Sequence, residues 1–180
     1  MNDKPPVVET HRFTDDGTVP NSPLALVVYR GALADSGDRA AACEAMFTTN
    51  GWPDSWRNGI HPFHHYHSTA HEVLGIARGQ ARVRLGGENG QTVELRQGDV
   101  VVIPAGVAHK RETASSDLLV IGSYPKGQHP DMNRAEPAGH DGALAKIASV
   151  PLPARDPVTG ETAPLLECWR TTRRAGEAKA

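Results

Sequence analysis

The chain has 180 residues, a formal net charge of −2 and 38% hydrophobic residues. This length suits one domain able to bury roughly 70% of the surface its extended form would expose. The near-neutral charge offers no general attraction to nucleic acid or an anionic membrane. No apolar run is long enough to span a bilayer, and the start MNDKPPVVETHRF lacks a continuous apolar signal core, so a cytoplasmic location is expected.

In chain order, residues 1–23 read as an N-terminal extension. The run LALVVYR, Leu24 to Arg30, is β-branched and favours a strand. A helix follows near 36–49, with Ser36 as its cap, Ala41, Ala42, Ala45 and Met46 inside it, and Gly51 and Pro53 beyond its end. Short extended runs then alternate with turns. Strands are expected over Phe63 to His67, Glu72 to Ala77, Ala81 to Leu85, Thr92 to Arg96, Val100 to Ile103, Ala108 to Arg111 and Leu118 to Tyr124. Turn chemistry recurs at 86–90, 97–99 and 104–106. Closely spaced strands of this kind predict an antiparallel sandwich or barrel. Residues 125–180 read as a C-terminal extension: a proline-rich crossing segment to His140, a short helix near 141–149 capped by Asp141, and Pro164 to Trp169 returning as an edge strand or packed tail. The final TTRRAGEAKA is expected to be loosely ordered. Cys43 and Cys168 match no zinc-binding spacing and read as buried free thiols.

The stretch FHHYHSTAHE, residues 63–72, holds four histidines and a carboxylate. Side chains alternate along a strand, so His65 and His67 share one face while His64 and Tyr66 take the other. After a turn through Ser68, Thr69 and Ala70, either His71 or Glu72 can return to the His65/His67 face. A carboxylate beside two imidazoles makes the mixed nitrogen and oxygen set of non-haem iron and related centres, which favours Glu72. Later, GDVVVIPAGVAHK turns at Gly98 and again at Pro104–Gly106, so that His109 enters a strand able to pair into the same interior. Arg111, two residues on, shares the face of His109 and can meet a carboxylate or phosphate. Trp56, Arg57 and Asn58 precede the metal strands and read either as a mouth or as packing. No phosphate-loop pattern is present.

These residues resemble the cupin superfamily. Its first motif matches Gly59, His65, His67, Glu72 and Gly79 in GIHPFHHYHSTAHEVLGIARG, and its second matches Gly98, Pro104, Gly106 and His109 in GDVVVIPAGVAH, with Thr113 where the motif closes on asparagine. The resemblance implies a metal set of His65, His67, Glu72 and His109 in an all-β, cupin-like jelly-roll β-barrel over 24–124, and a homodimer. More narrowly, SWRNGIHPFHHYHSTAHEVLG, VVIPAGVAHKR and YPKGQ look like a bacterial cupin group of the YjlB type.

The functional expectation is a metal-dependent enzyme acting on a small organic, anionic substrate, foremost an oxygen-dependent, dioxygenase-like oxidoreductase. A metal-dependent isomerase or hydrolase and a non-catalytic metal- or metabolite-binding protein are the alternatives. The cofactor is one divalent ion, iron ahead of manganese, zinc and nickel. Arg111, Tyr66 and His71 are the candidate catalytic side chains, the last two only if they turn inward.

Overall fold

The run of apolar residues in Ser22–Arg30 is buried along nearly its whole length, which requires cover on both faces of its sheet. The computed structural model, which describes residues 6–35 and 37–177, supplies that cover. In chain order the elements are β1 (Val7–Phe13), β2 (Ser22–Arg30), α1 (Arg39–Thr49), β3 (Trp56–Asn58), β4 (His65–Tyr66), β5 (Glu72–Arg78), β6 (Gln80–Leu85) and β7 (Gln91–Arg96). There follow β8 (Val100–Ile103), β9 (His109–Ala114), β10 (Leu119–Ser123), β11 (Asn133–Arg134), α2 (Pro137–Ser149) and α3 (Leu165–Glu177). They form a six-stranded sheet in the order β1-β2-β8-β5-β10-β3 and a five-stranded sheet in the order β11-β4-β9-β6-β7.

Alternation along the strands divides the interior in two. Leu26 and Val28 of β2, with Val101 and Ile103 of β8, join Val83, Leu85, Val93 and Leu95 of the second sheet in one core. Val27, Tyr29, Val100 and Val102 point the other way and meet Cys43 and Phe47 of α1 and Leu165 and Trp169 of α3. The first sheet is thus enclosed by the second sheet on one side and by helices on the other. In the second sheet, β6 keeps the alternation of a strand with one wet face, with Ala81, Val83 and Leu85 buried and Gln80 and Arg82 exposed.

The expectation of an all-β, closed jelly-roll barrel is overturned. The fold is mixed α/β, with three helices of 11, 13 and 13 residues among the described residues. Both sheets are open, ending on β1 and β3 and on β11 and β7 with no closing ladder between those edges among the described residues. The largest departure is α3. The run PLLECW, expected as a strand or tail, begins a helix whose fully buried Leu165, Leu166 and Trp169 lie on one stripe. Trp169 Nε1 donates to the Ala25 carbonyl at 2.8 Å, fixing the helix on β2. The polar residues TTRR continue this helix rather than fraying.

Smaller differences have local causes. Ser36, expected to cap α1, lies outside the described residues; Asp38 caps the helix, its Oδ1 accepting from Ala41 N at 3.0 Å. Helix α2 starts at Pro137, where a missing N–H costs nothing, rather than at Asp141. Strand β1 pairs along β2 and was unmarked in the sequence because it is an edge strand with no alternating apolar face. Both cysteines are free; Cys43 is fully buried and Cys168 partly so. No helix among the described residues is long and apolar enough to cross a membrane.

Candidate metal centre

The centre lies between the two sheets. His65 on β4 and His109 on β9 are direct register partners in the second sheet, so their rings sit side by side with centroids 4.0 Å apart. His67 follows β4 immediately, and Glu72 opens β5 in the first sheet, opposite Ile103. Gly106, at φ 94°, turns the chain between β8 and β9 where a side chain would strike the Asn21 carbonyl. Its N–H bonds the His67 carbonyl at 2.8 Å, tying the turn before His109 to the segment that carries the other two histidines.

One ring nitrogen from each of His65, His67 and His109 lies within 4.8 Å of the others, and all three residues are buried. This is a three-histidine cluster suited to a divalent metal ion. Glu72, 2% exposed, faces it, with Oε2 3.1 Å from His109 Nε2 and 3.4 Å from His67 Nε2. That oxygen has no hydrogen-bond partner.

The far sides of two rings are held by carbonyls. His67 Nδ1 donates to the Asp131 carbonyl, and His65 Nδ1 to the Phe63 carbonyl at 3.3 Å. In the neutral rings these bonds leave the Nε2 lone pairs directed inward. A carboxylate oxygen facing such a lone pair sets acceptor against acceptor, and only a cation or a proton between them resolves the conflict. The donor set therefore fits a divalent ion.

The metal-free electrostatics show the same conflict. Burial would raise the Glu72 pKa, yet the adjacent His67 and His109 hold it well below the usual carboxylate range. Burial pushes His67 down, but the charge of the adjacent Glu72 leaves it raised. His65, buried and beside His109, is pushed down to about 2 and stays neutral, as a ligand must.

A cavity of about 440 Å³ opens onto the cluster. Arg111 lines it, as do Trp56 and Asn58 before the metal strands. Arg57 instead turns outward and pairs with Glu44 on α1, Nε to Oε1 at 2.7 Å. Gly122 on β10 leaves the space that the Trp56 indole fills. The other two catalytic candidates do not reach the cavity. Tyr66 packs among Val19, Ala108 and Ala143. His71 is 1% exposed, accepts from Ala105 N at Nδ1 (3.0 Å) and lies 4.7 Å from the Trp169 ring. Thus Glu72 faces the histidines and His71 the opposite core, an alternative spacing alone left open.

Sequence reasoning passed over Tyr124, Met132 and Asp131. Tyr124 lines the cavity edge-on to His67, ring centroids 5.9 Å apart, and its hydroxyl accepts from Trp56 Nε1 at 3.0 Å. Burial and the Glu72 charge both raise its pKa. Asp131 braces the ligand loop, its carboxylate accepting from Ser68 N at 2.6 Å and from the Ser68 hydroxyl. The proline-rich segment that carries Asp131 and Met132 gave no signal of its path.

A cupin-domain family model matches residues 57–121. The uncharacterised protein YjlB of Bacillus subtilis (strain 168) is 45% identical over 162 residues, covering 89% of this chain and 96% of YjlB. Among solved structures, a DUF861 family protein from Thermotoga maritima is 22% identical over 44% of this chain and 85% of its own, with a TM-score of 0.32. The ketoisomerase QdtA from Thermoanaerobacterium thermosaccharolyticum is 14% identical over 52% of this chain and 74% of its own, with a TM-score of 0.40. At these scores neither structure informs the fold or activity of this chain. Identity with YjlB at this level and coverage is decisive: the chain belongs to the cupin-domain family that includes YjlB of Bacillus subtilis.

Proposed function

We propose that this protein is a metal-dependent cupin enzyme that oxidises a small anionic organic substrate with molecular oxygen. His65, His67, His109 and Glu72 would hold the ion, with iron ahead of manganese, zinc and nickel. Bound ferrous iron would supply Lewis acidity and the capacity to use oxygen. The observation that carries the reading is the buried histidine cluster, with the unpartnered Glu72 oxygen, at the floor of an open cavity.

The protein's own groups bind and orient. The carbonyls behind His65 and His67 hold their rings, Arg111 offers a fixed positive charge, and the Trp56–Tyr124 pair forms one wall. Hydrolysis or isomerisation would need a proton acceptor near the reacting atoms. Among the described residues His61 lines the cavity and is the candidate for that role in this alternative reading.

Protein purified anaerobically and loaded with iron should take up oxygen when given its substrate. Turnover of a small-molecule panel with no oxygen consumed would replace this reading by isomerisation or hydrolysis. Tight retention of a metabolite with no turnover would replace it by a binding protein.

A further inference from the structure

We propose that the cavity takes a small monocarboxylate with an apolar body, an inference that rests on reading the cavity as the substrate site. It comes from counting which polar groups on the cavity wall are already used. Arg111 is held by its backbone, whose N–H donates to the His61 carbonyl at 2.9 Å. Its guanidinium has no hydrogen bond or ion pair among the described residues, whereas its neighbours on the second sheet are engaged: Lys110 with Glu88 at 3.3 Å, and Arg84 with the Glu88 carbonyl at 2.6 Å.

Asn58 spends its Oδ1 on the Gly59 N–H at 2.8 Å, which leaves its NH₂ to donate. An indole N–H can only donate, so the Trp56–Tyr124 bond occupies an acceptor site on the Tyr124 hydroxyl, and the phenolic proton turns to the Glu72 carboxylate. Arg111 and Asn58, which line the cavity from the two sheets, are therefore donors without full partners, and the carboxylate that lines it, Glu72, is turned to the histidines and to Tyr124. Such a wall recognises an acceptor-rich anion.

Charge selects the kind of anion. One arginine matches one carboxylate, with a fork that fits its two oxygens. A phosphate would bring a second negative charge close to the buried Glu72, and no lysine lines the cavity to offset it. Ile60, Leu74 and Met132 line the rest and suit an apolar body.

The test is isothermal titration of the metal-loaded protein, under anaerobic conditions, with benzoate and hexanoate, with their amides benzamide and hexanamide, and with inorganic phosphate. At least one acid should bind about 10- to 100-fold more tightly than its amide, as expected for charge-assisted hydrogen bonds. Arg111→Ala should abolish that preference, and Arg111→Lys should keep only part of it, with metal content unchanged in both. Acid and amide binding alike, phosphate binding more tightly than either acid, an Arg111→Ala variant that keeps the preference, or no binding of either acid at millimolar concentration would each overturn the inference. Any of these results with metal content and oxygen uptake intact would leave the proposed function standing. Loss of metal binding in the parent protein would instead strike the function itself.

Discussion

Exchanging Glu72 for Gln keeps the shape of the side chain and removes its charge. The carboxylate oxygen sits 3.1 Å and 3.4 Å from the inward nitrogens of His109 and His67. At such distances a pair of unit charges interacts by about 5 kcal/mol at an effective dielectric of ~20. Part of that is offset, because an amide is less costly to bury than a carboxylate. A net loss of about 2.7 kcal/mol, or roughly 100-fold in metal affinity, is the expected outcome. Under saturating metal the same loss reappears in stability through mass action. For a chain of this length each kcal/mol moves Tm by about 2–4 °C, so the rise in Tm on adding metal should shrink by about 5–11 °C. Calorimetry on both proteins, each compared with its own metal-free melt, reads this directly, and a chelator competition gives the Kd. An E72Q protein stabilised by metal as much as the parent would remove Glu72 from the ligand set.

Three further outcomes follow from the packing. Burial pushes His71 down to about 3, with Arg173 adding to the shift, so its neutral form is favoured in the fold while the unfolded chain takes up a proton near pH 6.5. The unfolded state then binds more protons between those values, and stability falls as pH drops below 6.5, by about 1.4 kcal/mol per pH unit from this residue. His71→Asn keeps an acceptor for the Ala105 N–H and should flatten the slope by that amount in urea titrations from pH 7 to 4; an unchanged slope would rule His71 out as its source. Asp131→Ala releases Ser68 and loosens the loop behind His67, and should weaken metal binding by about 10- to 100-fold with little loss of fold, which chelator competition with circular dichroism would reveal; unchanged affinity would make the brace irrelevant. Trp169→Ala empties a fully buried site and strands the Ala25 carbonyl, at about 4–6 kcal/mol in denaturant unfolding; a loss under ~1 kcal/mol would mean that α3 contributes little to the core.

What the sequence disclosed follows from the range of the forces involved. Period-two alternation is a local property, and it located β5 to β10 within a residue or two except at the C-terminal end of β9. It also paired His65 with His67, while the Pro104–Gly106 turn before β9 brought His109 to them. Whether Glu72 or His71 returns to that face depends on the geometry of one tight turn, which residue type does not determine. Tyr124 and Asp131 owe their places to long-range packing, the first by leaving β10 beside Trp56 and the second by crossing back over the ligand loop. Helix α3 was misread because PLLECW is short enough for either period; its buried stripe shows only when the polar TTRR is read as the continuing outer face. Closure of the sheets is likewise not written in strand patterns, since alternation says which face is buried but not whether edge strands meet.

The most direct measurement is elemental analysis of anaerobically purified protein beside its His109→Ala variant, with folding checked by circular dichroism. About one divalent ion per parent chain, lost in a variant that keeps its fold, is the predicted result. A parent chain that takes up no ion from any of iron, manganese, zinc or nickel, or a variant that retains the full complement, would contradict a metal centre built on the three histidines.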